Sequence, residues 1–258
     1  MNGDAMDFRW HAAGMDEVPD DDRWLSPAEA ARVAGMRYPK RRSEFRLGRW
    51  TAKATLAAVL DAPIGRDGLA GIEIRAAPTG APEPYRKGAP APVSLSMTDR
   101  ADWAVCLVGP PGVDVGCDLE LVEPRSDAFV ADFLTEAEQR AVVDAGRSRD
   151  VMANLVWSAK ESALKVLRTG LRRDTISVEV TVTDQPAEGA EGWRRLEVRD
   201  RQTGAVFPGW WQRFDAFLLT TATSGPAPPP VALLSEDRLR RAQPSHRWMA
   251  AQEQLRAR

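Results

Sequence analysis

The sequence contains very little histidine. Only His11 and His246 occur in 258 residues, and both lie near the termini in polar surroundings. A Ser-His-Asp hydrolase, a Cys-His protease or a histidine-rich zinc site would have to use one of these two side chains. We therefore expect any chemistry to depend on carboxylates, lysines and hard metal ions.

Cysteine, long apolar runs and excess charge are also scarce. Cys106 and Cys117 lie in apolar, strand-like sequence without a Cys-x-x-Cys pattern, which is typical of reduced core residues in a cytoplasmic protein. The first 14 residues lack the features of a secretory signal, and no apolar run approaches the roughly 18 residues that span a bilayer. The formal net charge of −2 provides no field that would attract nucleic acid or an acidic membrane. We expect neither as a partner.

Residues 154–170 have the pattern of an amphipathic helix. Apolar side chains recur at helical spacing, and Glu161 and Lys165 fall opposite that stripe, with Lys160 at its edge. A Glu followed four residues later by a Lys is common as a solvated surface pair. The alternative is that these charges belong to a site.

A second acidic group lies upstream, in the predicted strand at residues 113–122. Asp118 and Glu120 are two residues apart, so their side chains project from the same face. Two adjacent carboxylates repel each other unless a positive group lies between them. They predict either an exposed, salt-bridged edge or a site for Mg²⁺, which takes oxygen ligands and often completes its shell with substrate phosphates.

Basic residues are concentrated in a predicted helix at residues 39–60. The helix carries five of them within thirteen positions, which indicates either a solvated face or an anion site, since arginine and lysine both bind phosphate. They are Arg41, Arg42, Arg46, Arg49 and Lys53.

The rest of the chain reads as alternating helices and strands. Ser26 with Glu29 resembles a capping box that opens a helix. Proline and glycine predict a loop at 78–92, and a turn is expected at 98–100. The remaining expectations are strands at 69–77, 93–97, 102–109, 175–183, 193–200 and 213–224, a helix at 129–146, loops at 185–192 and 202–211, and a loose helix in the charged tail from Ser235.

Three segments together resemble the signature of the 4'-phosphopantetheinyl transferases, of the type that activates surfactin synthetase. They are GCDLELVEPR (116–125), FLTEAE (133–138) and WSAKESALK (157–165). The family pattern is a Gly-hydrophobic-Asp-hydrophobic-Glu strand, a Phe-Leu/Phe-Ser/Thr-x-x-Glu segment and Trp-Ser-x-Lys-Glu-x-x-x-Lys. All three occur here in that order at suitable spacing.

Weaker similarities lie upstream. Gly48-Arg49 resembles the family's Gly-Arg helix, residues 79–82 its Gly-Lys-Pro loop, and residues 94–99 its Ser-His-Ser turn. Two positions differ, because Met97 replaces the family's histidine and Ala81 its lysine, both of which help to hold the nucleotide end of coenzyme A. The basic side chains available as substitutes are Arg46, Arg49, Lys53, Arg86 and Lys87.

The resemblance implies an α+β fold, a pseudo-twofold pair of similar halves with the active site in the cleft between them. The N-terminal half (1–110) would hold the coenzyme A nucleotide, the C-terminal half (111–234) would carry the metal and transfer motifs, and residues 235–258 would form a tail. A single chain containing both halves makes a monomer sufficient.

The implied reaction is Mg²⁺-dependent transfer of the 4'-phosphopantetheine arm of coenzyme A to a serine of an apo acyl or peptidyl carrier protein. The products are the holo carrier protein of fatty acid, polyketide or nonribosomal peptide synthesis and adenosine 3',5'-bisphosphate. The implied metal ligands are Asp118, Glu120 and Glu161, and the implied catalytic groups are Glu161, Lys165 and Glu138. The serine proton would go to Glu161, Glu138 or a metal-bound water, and Lys165 would donate to the leaving phosphate. The implied coenzyme A contacts are Arg46, Arg49, Lys53, Ser96, Lys160 and Lys165.

Two other functions are compatible with the residues. An acidic strand pair with a Glu and a Lys also occurs in Mg²⁺-dependent nucleases, although those sites usually place the Glu and Lys two apart on a strand. A carrier-protein binder that has lost coenzyme A affinity through Met97 and Ala81 would need no catalysis. Copurified coenzyme A would argue against the nuclease, and metal-dependent turnover against the binder.

Overall fold

The computed structural model describes residues 7–187, 192–233 and 237–244. The helices are α1 (Pro27–Ala34), α2 (Pro39–Val59), α3 (Arg66–Ala70), α4 (Asp127–Phe133), α5 (Glu136–Asp144), α6 (Arg149–Val166) and α7 (Asp237–Arg240). The strands are β1 (Arg9–Gly14), β2 (Ile72–Ala76), β3 (Pro82–Arg86), β4 (Ala89–Pro90), β5 (Ser94–Arg100), β6 (Trp103–Gly109), β7 (Val115–Leu121), β8 (Val178–Pro186), β9 (Arg194–Asp200), β10 (Val206–Phe214), β11 (Phe217–Thr223) and β12 (Val231–Ala232).

Two sheets and two long helices form the body of the molecule. The first sheet has the order β12-β1-β6-β5 and the second the order β7-β11-β10-β9-β8. One core lies between them, with Trp10 from the first sheet and Phe217 from the second. Helix α2 packs on the outer face of the first sheet and α6 on the outer face of the second. The α+β class is thus confirmed, and none of the helices in the described ranges is long and apolar enough to cross a membrane.

The two sheets meet along β5 and β7. The hydroxyl of Ser96 accepts a hydrogen bond from the backbone N–H of Cys117 at 3.0 Å, and the hydroxyl of Thr98 accepts one from Leu119 at 3.2 Å. These side chains satisfy the free edge of β7, which would otherwise leave buried donors unpaired. The seam therefore fixes how the two halves lie against each other.

Several predicted boundaries were wrong. The proline-rich loop expected at 78–92 contains β3 and β4, because Pro82 and Pro84 of β3 lie where, among the described strands, β2 is the only one paired with it. The turn falls at Ala101 and Asp102, which have φ of +51° and +65°, rather than at 98–100. Residues 206–211, expected in a loop, belong to β10, and a turn at Asp215 separates β10 from β11.

The helix expected at 129–146 is broken in two. Thr135 takes an extended conformation, and its side chain accepts from the backbone N–H of Glu138, whose own side chain accepts from Thr135 N. This capping box starts α5 and ends α4 at Phe133. The same box is present at Ser26 and Glu29, where it was predicted.

The two halves repeat one arrangement. Residues 24–33 (WLSPAEAARV) and 133–142 (FLTEAEQRAV) each supply a capping box, and residues 50–53 (WTAK) and 157–160 (WSAK) each lie in a long helix. The sheets do not follow the predicted division throughout. Strand β12 belongs to residues 111–234, yet it pairs in parallel with β1.

Helix α7 begins the charged tail and packs its Leu239 side chain into the core between the sheets. The rest of the predicted tail helix, from residue 245 onward, lies outside the described residues.

Gly116 is the position where α6 crosses β7 most closely. A Cβ atom there would lie 1.9 Å from the backbone oxygen of Ser162. Glycine is therefore required for the helix to approach the strand that carries Asp118.

Substituting Gly116 with alanine should destabilise the protein by about 1–3 kcal/mol, because the helix must move away from the strand. Thermal melting measures the effect. Gly48→Ala is the matched control, since an added Cβ at Gly48 meets nothing within 4 Å and an alanine in a helix should raise stability by up to about 1 kcal/mol. Equal melting of the two variants would contradict this account.

Candidate active site

Two carboxylates with open oxygens lie where α6 packs on β7. Asp118 accepts from the Thr98 hydroxyl at 3.1 Å and from Lys165 through the same Oδ1 atom. Its Oδ2 atom and Oε1 of Glu161 are buried and have no hydrogen-bond partner among the described residues. Buried polar atoms are normally paired, so these two oxygens point to a positive ligand.

Glu161 is far from a solvated surface residue. Burial raises its pKa to about 7, and repulsion from Asp118 and Glu120 acts in the same direction, opposed by Lys165. The interpretation of Glu161 and Lys165 as an exposed helix pair is therefore wrong. Glu161 is instead a carboxylate held beside another negative charge.

Lys165 connects this acidic group to the strand. Its ammonium donates to the backbone oxygen of Cys117 at 2.7 Å and to Oδ1 of Asp118 at 2.9 Å. Burial lowers the pKa of Lys165, but the attraction of Asp118 and the other nearby groups outweighs it, and the pKa is raised. The side chain stays charged and keeps one N–H free for a further acceptor.

Glu120 has a different environment. Its Oε1 accepts from the indole of Trp157 at 3.0 Å, and its Oε2 pairs with Arg125 at 3.1 Å and with Arg100 at 3.3 Å. The Trp157 ring packs against Phe129 and Phe133. Glu120 lies near Asp118, as its strand position predicts, but its oxygens are already paired.

The residues present fit a magnesium ion that is completed by a substrate. Within the described ranges, no three His, Cys, Asp or Glu side chains converge to hold a metal by themselves. Mg²⁺ is usually bound through one or two carboxylates together with waters and substrate phosphates. Asp118 and Glu161 supply two such carboxylates, each with an open oxygen.

A cavity of about 680 Å³ adjoins these carboxylates. Both halves line it, with the β5 side chains Ser96 and Met97 on one wall and Lys165 on the other. Its charged lining consists of Arg32, Arg49, Arg75, Lys165, Arg168, Arg172 and a single carboxylate, Asp114, which pairs with Arg168 at 3.1 Å. The cavity therefore suits an anion with several negative charges.

Arg49 is the buried cation of this cavity. Its guanidinium lies 4.4 Å from the centre of the Phe45 ring and 3.4 Å from Glu29, and Arg32 approaches the same ring at 5.2 Å. Burial lowers the pKa of Arg49, Glu29 partly offsets this effect, and Arg32 lowers the pKa further. A phosphate entering the cavity would relieve the repulsion between the two arginines.

Four of the predicted site residues reach neither the cavity nor the carboxylates of Asp118, Glu120 and Glu161. Lys160 is fully buried, pairs with Glu138 at 2.7 Å and donates to the backbone oxygens of Thr175 and Val178. Glu138 also accepts from Val180 N at 2.7 Å, so all of its hydrogen bonds serve the fold.

The N-terminal half contains the same kind of buried lysine–glutamate pair. Lys53 is fully buried, pairs with Glu29 at 2.5 Å and donates to the backbone oxygens of Trp24 and Leu69. Arg46 pairs with Asp22 at 2.8 Å, away from the cavity lining. These contacts give a structural role to four predicted site residues: Lys53, Lys160, Glu138 and Arg46. For the first three, the sequence signal was the repeat of a capping box followed by WTAK in one half and by WSAK in the other.

Sequence reasoning also missed four cavity residues. Arg32, Arg75, Arg168 and Arg172 come from separate elements and only the fold brings them together. The two positions that differ from the family pattern, Ala81 and Met97, line the same cavity. Arginines thus line the cavity together with the two positions where the family pattern has a lysine and a histidine.

Residues 114–220 match the model of the 4'-phosphopantetheinyl transferase superfamily. That range contains the two carboxylates with open oxygens, Asp118 and Glu161, and the lysine beside them, Lys165. Curated proteins provide no match to the chain. Among solved structures, the chain is similar to a holo-(acyl-carrier-protein) synthase from Bacillus anthracis str. Ames in complex with CoA (3',5'-ADP), at 21% identity and a TM-score of 0.35, covering 40% of this chain and 94% of that chain.

Proposed function

We propose that this chain transfers the 4'-phosphopantetheine arm of coenzyme A to a serine of an apo carrier protein, with Mg²⁺ as cofactor. One observation carries the proposal: Lys165 lines the cationic cavity and also pairs with Asp118, beside the open oxygen of Glu161. The site therefore combines a place for a polyanionic nucleotide with carboxylates for a divalent ion. The superfamily match over the same residues supports this reaction.

The reaction joins the serine oxygen to the phosphorus that carries pantetheine and breaks the bond from that phosphorus to the bridging pyrophosphate oxygen. Adenosine 3',5'-bisphosphate leaves with the bond electrons, and the serine gives up its proton. A bound Mg²⁺ ion would withdraw charge from the pyrophosphate as a Lewis acid. Asp118 and Glu161 are the residues that would hold the ion.

Two side chains act on the leaving phosphate and on the serine proton. Lys165 has a free N–H at the cavity wall and stabilises the negative charge that develops on the leaving phosphate. Of the two glutamates that the resemblance offers as bases, only Glu161 lies at the site, so Glu161 is the one placed to take the serine proton. Glu138 is excluded from this role by its burial against Lys160.

We assign the chain to the type in which one polypeptide supplies both walls of the site, and a monomer is sufficient. Cavity residues come from both halves, Arg49 and Ser96 before residue 110 and Asp114 and Lys165 after it. The carrier protein belongs to fatty acid, polyketide or nonribosomal peptide synthesis.

The direct test is incubation with coenzyme A, Mg²⁺ and a panel of apo carrier proteins, followed by intact-mass measurement. We expect a gain equal to one phosphopantetheine arm on the carrier serine, and its loss when Mg²⁺ is chelated. No gain across a broad panel, with a control transferase active on the same proteins, would refute the proposal.

Coenzyme A should bind more tightly than its 3'-dephospho form, by about 1.5–3 kcal/mol, because cavity arginines replace the missing histidine and lysine. Calorimetric titration of both ligands measures the difference. Arg49→Met should remove most of it, whereas Arg46→Met should leave it, since Arg46 pairs with Asp22 outside the cavity. Equal affinities in the wild type would show that the 3'-phosphate is solvated.

The apparent Mg²⁺ affinity should fall as the pH drops below 7. The pKa of Glu161 is raised to about 7, so protons compete with the ion for this carboxylate below that pH. We expect a decrease of up to about tenfold per pH unit, measured from the Mg²⁺ dependence of transfer between pH 5.5 and 8. A flat dependence would mean that Glu161 does not bind the ion.

A further inference from the structure

Two turns from different halves line the cavity and contact each other. Residues 79–82 follow β2 in the N-terminal half, and residues 168–172 follow α6 in the C-terminal half. Gly80 has φ of +87° and Gly170 has φ of +51°, backbone conformations that favour glycine. The contact between these two turns therefore joins the halves directly beside the space that a ligand would fill.

Arg172 makes this contact. Its Nη2 atom donates to the backbone oxygen of Thr79 in the N-terminal half. The same guanidinium donates to the backbone oxygens of Arg168 at 3.4 Å and Thr169 at 3.2 Å in its own half. One side chain thus holds carbonyl oxygens of both turns, which the planar set of five N–H donors of arginine allows.

Arg168 adds a second, longer link between the halves. Its Nη1 atom lies 3.9 Å from Oε1 of Glu83 in β3, and its Nε atom donates to Asp114 at 3.1 Å. Arg168 has φ of +55°, which is uncommon for a residue that carries a side chain. The turn therefore adopts a costly backbone conformation at the point where its arginines reach the N-terminal half.

The bridge from Arg172 to Thr79 differs in exposure from the seam between β5 and β7. Ser96 of the seam is buried, whereas Arg172 and Thr79 are both exposed. Exposed hydrogen bonds open locally at small cost, without unfolding of the core. The two turns can therefore separate to admit a ligand and come together again once it is bound.

We propose that Arg172 is a positioning residue that closes the cavity over its ligand through the bridge to Thr79, so that opening of this bridge sets the rate at which the nucleotide leaves. The inference rests on the proposed function, because it takes coenzyme A as the ligand. It predicts that the loss of Arg172 raises the dissociation rate. The loss of a charge that only attracts the ligand would instead lower the association rate.

The test is the release of coenzyme A that carries a fluorophore on its thiol from the full chain, after addition of excess unlabelled coenzyme A. Arg172→Gln should raise the dissociation rate by about tenfold or more, the effect of losing a hydrogen bond from a charged donor. The association rate should change little at physiological salt, which screens exposed charges. The melting temperature should not fall, because the bridge is exposed.

Arg201→Gln is the matched control for Arg172→Gln. It also removes an exposed arginine that donates to a backbone oxygen, that of Ile176 at 3.0 Å, but Arg201 does not line the cavity. Both rates should therefore equal those of the wild type.

The double variant Thr79→Cys/Arg172→Cys separates closure of the cavity from direct contact with the ligand. Cys106 and Cys117 are fully buried, so a short bifunctional maleimide should join only the two introduced thiols. Before cross-linking, the double variant should release coenzyme A as quickly as Arg172→Gln does. Cross-linked with coenzyme A bound, it should release the ligand no faster than the wild type, although the positive charge is absent.

Two results would overturn the inference and leave the proposed function standing. One is a dissociation rate of Arg172→Gln that equals the wild-type rate. The other is fast release from the cross-linked double variant, which would show that Arg172 acts by contacting the ligand. If the wild-type chain binds no coenzyme A, the proposed function fails together with the inference.

Discussion

Replacing Glu161 with glutamine should lower the transfer rate by at least about 100-fold, because the ion that Glu161 holds supplies several kcal/mol of charge stabilisation and each 1.4 kcal/mol corresponds to a factor of ten. The melting temperature should not fall. The pKa of Glu161 is raised from the ordinary value of a glutamate to about 7. As the pH rises between these two pKa values, ionising this carboxylate destabilises the folded protein. Glutamine removes that charge, so the metal-free variant should melt at or above the wild type near neutral pH.

Two companion variants separate metal binding from phosphate contact. Asp118→Asn should raise the Mg²⁺ requirement as Glu161→Gln does, because both side chains serve one ion. Lys165→Ala should lower turnover at saturating Mg²⁺, because the leaving phosphate loses its donor. It should not raise the Mg²⁺ requirement, because the variant removes a positive charge that pairs with Asp118. Full transfer by Glu161→Gln at low Mg²⁺ concentration would refute the site.

Replacing Lys160 with methionine should destabilise the protein by about 3–5 kcal/mol, the cost of leaving one member of a buried ion pair unpaired. Glu138 is buried beside the lysine and would lose its countercharge, and the backbone oxygens of Thr175 and Val178 would lose their donor. Chemical denaturation measures the change. Loss of stability, rather than a selective loss of coenzyme A affinity, is the expected result.

Lys40→Met is the matched control for Lys160→Met. Lys40 pairs with Glu44 on the surface of α2 at 3.7 Å, with three quarters of its side chain exposed, so its loss should cost no more than about 0.5 kcal/mol. If both variants are equally stable and Lys160→Met alone loses coenzyme A affinity, Lys160 is a ligand contact and the structural assignment is wrong.

The local features of the fold could be predicted from the sequence because they depend on neighbouring residues. The capping box at Ser26, the apolar alternation of β7 and the helical spacing around Glu161 are all short-range patterns. Strand β3 contains prolines, and β10 contains a proline and a glycine followed by tryptophans, so the sequence did not predict these strands. Their pairing depends on partner strands distant in the sequence.

The site was predictable to the extent that one motif carries it. Asp118 lies in one strand and Glu161 and Lys165 lie in one helix, and the resemblance to the transferase signature predicted that they share a site. Lys160 could not be separated from Lys165 by spacing, because its buried partner Glu138 lies in another helix. The arginines of the cavity come from several elements, and only the tertiary structure shows that they share one space.

Strand β12 has a consequence for how this chain is made. Residues 231–232 complete the first sheet by pairing with β1, and the core between the sheets takes residues from both ends of the described chain. During synthesis, β1 emerges more than two hundred residues before β12, so the edge of β1 that pairs with β12 stays open until residues 231–232 have been made. The open edge of β1 is a site at which the growing chain can pair with other chains, and we expect the first sheet to be completed only after the strands of the second sheet have been made.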